Sequence, residues 1–96
     1  MANQASTGIR FKIFSGDTAD YETWEDSFIS NIRLQNLHYC FDQYAEARPK
    51  DFDCTSATQN VYDYLVNCLA KNSRGIVRRG AKDNGVETIK LLKKHY

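Results

Sequence analysis

The chain has 96 residues, 42% hydrophobic and 26% charged, with one proline, five Phe, six Tyr and one Trp. That is room for one domain around one core, it is too aromatic for a disordered segment, and no apolar run approaches the ~18 residues of a membrane span. The formal net charge is +1 but unevenly placed: residues 1–70 carry five basic and ten acidic side chains, residues 71–96 eight basic and two acidic.

Residues 1–8 are small and polar, with neither the basic start nor the apolar stretch of a secretory signal, and read as a flexible N-terminus. The chain therefore reads as a cytoplasmic protein, with one helical domain over residues 9–96. Ile9-Arg10-Phe11-Lys12-Ile13 alternates apolar and polar, so Ile9, Phe11 and Ile13 are expected on one side of an extended segment, with Phe14 breaking the pattern. No second strand is visible to pair with it. The segment is expected to lie on helices as an arm anchored by Phe11 or Phe14, followed by a turn at Ser15-Gly16-Asp17.

The first helix is expected from near Asp20, as N-cap, to about Gln35 or Asn36. Tyr21, Trp24, Phe28 and Ile32 recur at intervals of three and four and make one aromatic core face, while Glu22, Glu25 and Asp26 suit the positive end of the helix dipole. Leu37-His38-Tyr39-Cys40-Phe41 reads as a short helix or turn crossing the core, and residues 45–54, with the only proline, as a loop. Ser56-x-x-Gln59 has the form of a capping box ahead of a helix carrying Val61, Tyr62, Leu65, Cys68 and Leu69. Asn72 or Ser73 ends that helix or caps a short successor, Arg74 to Arg79, burying Ile76 and Val77, with Gly80 as its stop. Asn84-x-x-Glu87 opens a last helix with Val86, Ile89, Leu92 and Tyr96 inward and Lys90, Lys93 and Lys94 near its C-terminal end. The expected fold is all-α, a bundle of four to five helices with an extended N-terminal arm. Its core is Phe14, Tyr21, Trp24, Phe28, Ile32, Leu65, Leu69, Ile89 and Leu92.

Little in the residues asks for catalysis. Cys40, Cys54 and Cys68 lack any C-x-x-C spacing and read as free thiols, Cys68 in the core; no metal and no cofactor is expected. Gly75, Gly80 and Gly85 do not form a phosphate-binding pattern, and His38, His95 and the pairs Glu25/Asp26 and Asp51/Asp53 read more simply as surface groups than as catalytic ones. An enzyme, a membrane partner and a small-molecule substrate are all outside this expectation. The charge split admits three readings: the basic end closing on the acidic body or both simply solvated, head-to-tail contact between copies, or nucleic-acid contact through Arg74, Arg78, Arg79 and Lys82.

The order of the motifs says more than each alone. Phe14-Ser15-Gly16-Asp17, then Tyr21-Glu22-Thr23-Trp24, then Phe28, resembles the F-x-G…Y-x-x-W…[MF] opening of Gag polyproteins from LTR retrotransposons, the copia type most closely. Val61 to Leu69 followed by Ile76 is similar to that family's mid-domain helix. Gly85 to Tyr96 is similar to its closing segment, with Val86 near the usual alanine and Ile89 or Lys90 near the usual tryptophan. A gypsy-type or domesticated Gag is the alternative.

The resemblance implies a capsid N-terminal lobe, a structural self-assembly domain that packs around neighbouring copies in a virus-like particle shell. Tyr96 falls where a second lobe would begin, so the chain reads as an excised or truncated lobe. Expected lateral contacts are the exposed faces of the first helix and the 56–70 helix, and the arm at 9–14. Its expected partner is itself, with RNA as a weak second. Two alternatives stand beside it. One is a helical nucleic-acid-binding module using the basic C-terminal third. The other is a Gag-derived peptide-binding adaptor with a groove of Tyr39, Phe41, Tyr44, Tyr62 and Tyr64.

Overall fold

The computed structural model describes residues 11–79 and 82–96, apart from the side chains of Lys71 and Asn72. It is all-α: helices α1 (Thr18–Leu34), α2 (Cys54–Val66), α3 (Lys71–Arg78) and α4 (Gly85–His95), with two short 3-10 helices, His38–Cys40 and Asp42–Ala47, between α1 and α2. The expectations for residues 1–8, for Ile9 and for Gly80 as a helix stop lie outside the described residues.

Phe14 is the hinge between arm and bundle. Its N–H donates to the Cys68 carbonyl at 2.7 Å and its own carbonyl accepts from the Ala70 N–H at 3.3 Å, a single parallel bridge opposite Leu69. The extended arm is thus paired, over one residue, with the turn that leaves α2. This also sets the facing: Phe14 is 1% exposed, whereas Ile13, expected on the same side as Phe11, is 61% exposed. Phe11 is half-buried, its ring tilted against Phe28 and stacked on Tyr64.

α1 starts earlier than its apolar stripe. Asp17, not Asp20, is the N-cap: its carboxylate accepts from the Ala19 N–H, and its own N–H donates to Ser15 Oγ. Asp20 instead accepts from the Ser15 hydroxyl. The turn works because Gly16 takes φ 93°, a conformation that would strain any other residue here. The helix ends in a Schellman motif, with Asn36 at φ 59° and the Asn36 and Leu37 N–H groups donating back to the Arg33 and Ile32 carbonyls. Tyr21, Trp24, Phe28 and Ile32 are all buried, as their spacing requires.

α2 begins at Cys54 because Asp53 accepts from the Ser56 N–H at 3.0 Å; Ser56 is the capped residue rather than the cap. Ala57, Val61 and Leu65 face the core. Cys68 and Leu69 are buried beyond the helix end, in the turn and at the bridge, not on its apolar face. α3 runs Lys71–Arg78, three residues earlier than expected at its start, and neither Asn72 nor Ser73 caps it; Ala70 holds the N-cap position without a side-chain bond. Part of the expected loop at 45–54 is the second 3-10 helix.

α4 opens as expected, with Asn84 accepting from the Glu87 N–H at 3.1 Å. Val86, Ile89 and Leu92 are buried and Tyr96 is partly so. Its first residue abuts α2: a Cβ on Gly85 would lie 2.5 Å from Val61 Cγ1 and 2.6 Å from the Tyr62 backbone nitrogen. The core is continuous, and every expected member lies in it: Phe14, Tyr21, Trp24, Phe28, Ile32, Leu65, Leu69, Ile89 and Leu92.

Candidate interaction surfaces

Three surface regions could carry a function. The first lies between α1 and the end of α4. Phe14 meets Tyr21 and Tyr96 edge-on, with ring centroids 5.4 and 4.8 Å apart; Tyr96 stacks on Tyr21 at 5.5 Å and 13°. The Tyr96 hydroxyl is held by the buried Ser73 hydroxyl at 2.8 Å, which joins α3 to the end of α4. Beside this stack a cleft is lined by Thr18, Tyr21, Glu22, Glu25, Asp26, Lys93 and Tyr96. Tyr21 is 5% exposed, and its hydroxyl has no partner in hydrogen-bond geometry. Burial first, then the neighbouring Glu25 carboxylate and Tyr96, push its phenol well above the ordinary value.

The second region is α3 with the short segment that leads out of it. Arg74, Arg78, Arg79 and Lys82 are exposed. Arg74 Nε donates to the Leu69 carbonyl and Arg79 Nε to the Gly75 carbonyl, so both guanidinium groups are steadied from the backbone. Arg74 and Arg78 line one cleft with Tyr62, Val66, Asn67 and Val77. Among the described residues the only ion pairs are those of Lys90, with Glu87 at 3.2 Å and Asp42 at 3.5 Å. These two carboxylates raise the Lys90 pKa, chiefly through the hydrogen bond that Lys90 donates to Glu87. The basic end therefore meets the acidic body through α4, while none of the four α3-region cations is ion-paired.

The third region is the aromatic set Tyr39, Phe41, Tyr44, Tyr62 and Tyr64. Tyr64 stacks on Phe11 and donates to the Gln35 side chain; Tyr39 packs edge-on against Phe52 and beside His38, which Tyr44 meets from another side. Phe41 is buried under α4, beside a cleft that also includes Val86 and Ile89. Tyr62 lines the α2–α3 cleft instead. The five rings are shared out among separate contacts rather than gathered along one groove. His38 carries a buried Nδ1 without a partner; burial, then Arg33, lower its pKa.

The cysteines are free thiols. Burial pushes Cys40 and Cys68 up to about 11, and Cys54 is half-buried. Among the described residues no group of three His, Cys, Asp or Glu side chains could hold a metal ion, and no helix is long and apolar enough to cross a membrane. Sequence reasoning took Tyr21 and Tyr96 as core and did not find the cleft they form. The signal available was the crowding of Glu22, Glu25 and Asp26 within two turns beside Tyr21. Compared with known proteins, the chain matches no family model, no curated protein and no solved structure.

Proposed function

We propose that the domain is a structural self-assembly module, the N-terminal capsid lobe of a copia-type retrotransposon Gag, acting in the cytoplasm by contact between copies. The observation that carries this reading is where the resembling motifs meet. Phe14, Tyr21, Trp24, Phe28 and Tyr96 come from three separated segments and pack ring against ring. A motif set whose members build one core specifies a scaffold, and a scaffold works through its outside. That outside carries separate patches of opposite charge, which suits weak, repeated association.

Sedimentation velocity over a range of concentrations, with negative-stain imaging of a longer polypeptide carrying the second lobe, tests the proposal. Association that grows with concentration, and closed particles from the longer chain, are expected. A strictly monomeric lobe and a longer chain that forms no particles would sink it.

A second reading is nucleic-acid binding through Arg74, Arg78, Arg79 and Lys82, favoured by the lack of ion pairing at these cations among the described residues. It requires an affinity for RNA that falls steeply with salt, the slope set by the number of phosphates neutralised.

A further inference from the structure

The cleft between α1 and the end of α4 is poorly served by its own chain. Glu22, Glu25 and Asp26 stand within two helical turns, and Glu22 and Asp26 are four apart on one face, a spacing at which like charges repel. Lys93 is the only cation among the residues that line the cleft. The Tyr21 hydroxyl is buried beside Glu25, a hydrogen-bonding neighbour with which it forms no well-aligned bond, an unfavourable position for a group that can both donate and accept. Next to it lies the stacked pair of Tyr21 and Tyr96.

These features define what is missing. The occupant needs positive charge for the carboxylates, several N–H donors for their oxygens, and a flat face to lie on an aromatic ring. A guanidinium has all three, whereas an ammonium has no flat face. The same chain presents such a group elsewhere. Arg78 projects from α3, is exposed, and is paired with no carboxylate among the described residues.

We propose that the α1–α4 cleft receives Arg78 from a second copy, joining copies head to tail. The proposal rests on the self-assembly reading and names its contact. Because the two surfaces differ, a pair of copies retains one unfilled cleft and one free arginine, so association closes into rings or continues as open chains.

The test is sedimentation of three forms of the full chain. These are the wild type, a cleft variant (Glu22→Gln, Glu25→Gln, Asp26→Asn) and an arginine variant (Arg78→Glu), with Trp24 fluorescence checking that each is folded. All four substitutions are of surface-lining charges, and the cleft variant relieves repulsion within α1. We expect each variant alone to associate roughly tenfold or more weakly than the wild type. An equimolar mixture of the two variants should recover a dimer and nothing larger, because only one good contact remains per pair.

If the wild type associates and both variants match it, the head-to-tail contact is overturned while self-assembly stands. If the wild type stays monomeric throughout, this contact is overturned, and self-assembly falls with it when the longer polypeptide also forms no particles. A monomeric wild type in which a short arginine peptide shifts the Tyr21 ring signals assigns the cleft to a different protein, which also overturns a second copy as its occupant.

Discussion

The indole Nε1 of Trp24 donates to the Lys12 carbonyl at 2.8 Å, so the central core residue of α1 also holds the arm in place. One side chain thereby does two separable jobs. Its rings pack against Phe14, Tyr21 and Phe28, and its N–H satisfies a backbone acceptor that helix packing alone would leave unmet. Trp24→Phe keeps an aromatic ring but removes the donor, and should cost roughly 1–3 kcal/mol by denaturant unfolding. Hydrogen exchange at the Phe14 amide should accelerate more than exchange within α2. Equal acceleration at both places would mean that the arm and the bundle open together.

Gly75 and Gly85 make opposite predictions from the same substitution. A Cβ on Gly75 meets nothing within 4 Å, and the residue lies inside α3. Gly75→Ala should therefore stabilise the domain by roughly 0.5–1 kcal/mol through backbone entropy and helix propensity. At Gly85 the added carbon meets both the Val61 side chain and the Tyr62 backbone nitrogen, and backbone cannot swing aside. Gly85→Ala should destabilise by roughly 1–3 kcal/mol or more, as helix α4 is pushed off α2. Thermal midpoints of the two variants read both signs in one experiment.

The cap of α2 gives a sharper contrast. Asp53→Ala removes the acceptor for the Ser56 N–H and should cost about 1 kcal/mol, whereas Ser56→Ala should be nearly silent. A larger loss at Ser56 than at Asp53 in urea unfolding would place the start of the helix elsewhere.

Alkaline pH should weaken the fold. The Cys40 and Cys68 thiols ionise in an unfolded chain near their ordinary value of 9.0 but are held up to about 11 in the folded one, chiefly by burial. A raised folded-state pKa means that the stabilisation is complete below about 9 and is lost as pH climbs towards 11. The Tyr21 phenol, raised for the same reason, extends the loss above its ordinary value of 10.0. Urea midpoints should fall steadily from about pH 8.5 to about 10.5, the test window set by those values. At neutral pH a thiol reagent should label half-buried Cys54 first and reach Cys40 and Cys68 only on unfolding. Rapid labelling of all three in the native state would contradict this burial.

The sequence makes some of this architecture plain and conceals the rest for identifiable reasons. The stripe of Tyr21, Trp24, Phe28 and Ile32 is legible because helical periodicity repeats over about three turns. The Asn84 cap is legible because it sits just before an apolar run. The start of α1 is not, since Thr18 and Ala19 carry no apolar signal and two aspartates stand three apart. There the Ser15–Asp17 hydrogen bond selects the earlier one. At α2 the Ser-x-x-Gln pattern outweighs a lone Asp53 on sequence grounds, although Asp53 does the capping. The bridge between Phe14 and Leu69 spans one residue each and has no period to display. The α1–α4 cleft depends on Tyr96 folding back onto Tyr21, a contact between distant parts of the chain that no local pattern encodes.

The single bridge at Phe14 and the edge-on contact of the same ring with Tyr96 place the beginning and the end of the described chain against one another. Tension drawn through both ends would load this clasp before any helix along its axis. Under force the domain would yield first at a small aromatic buckle, with α2 still wound, and its mechanical strength would be set there.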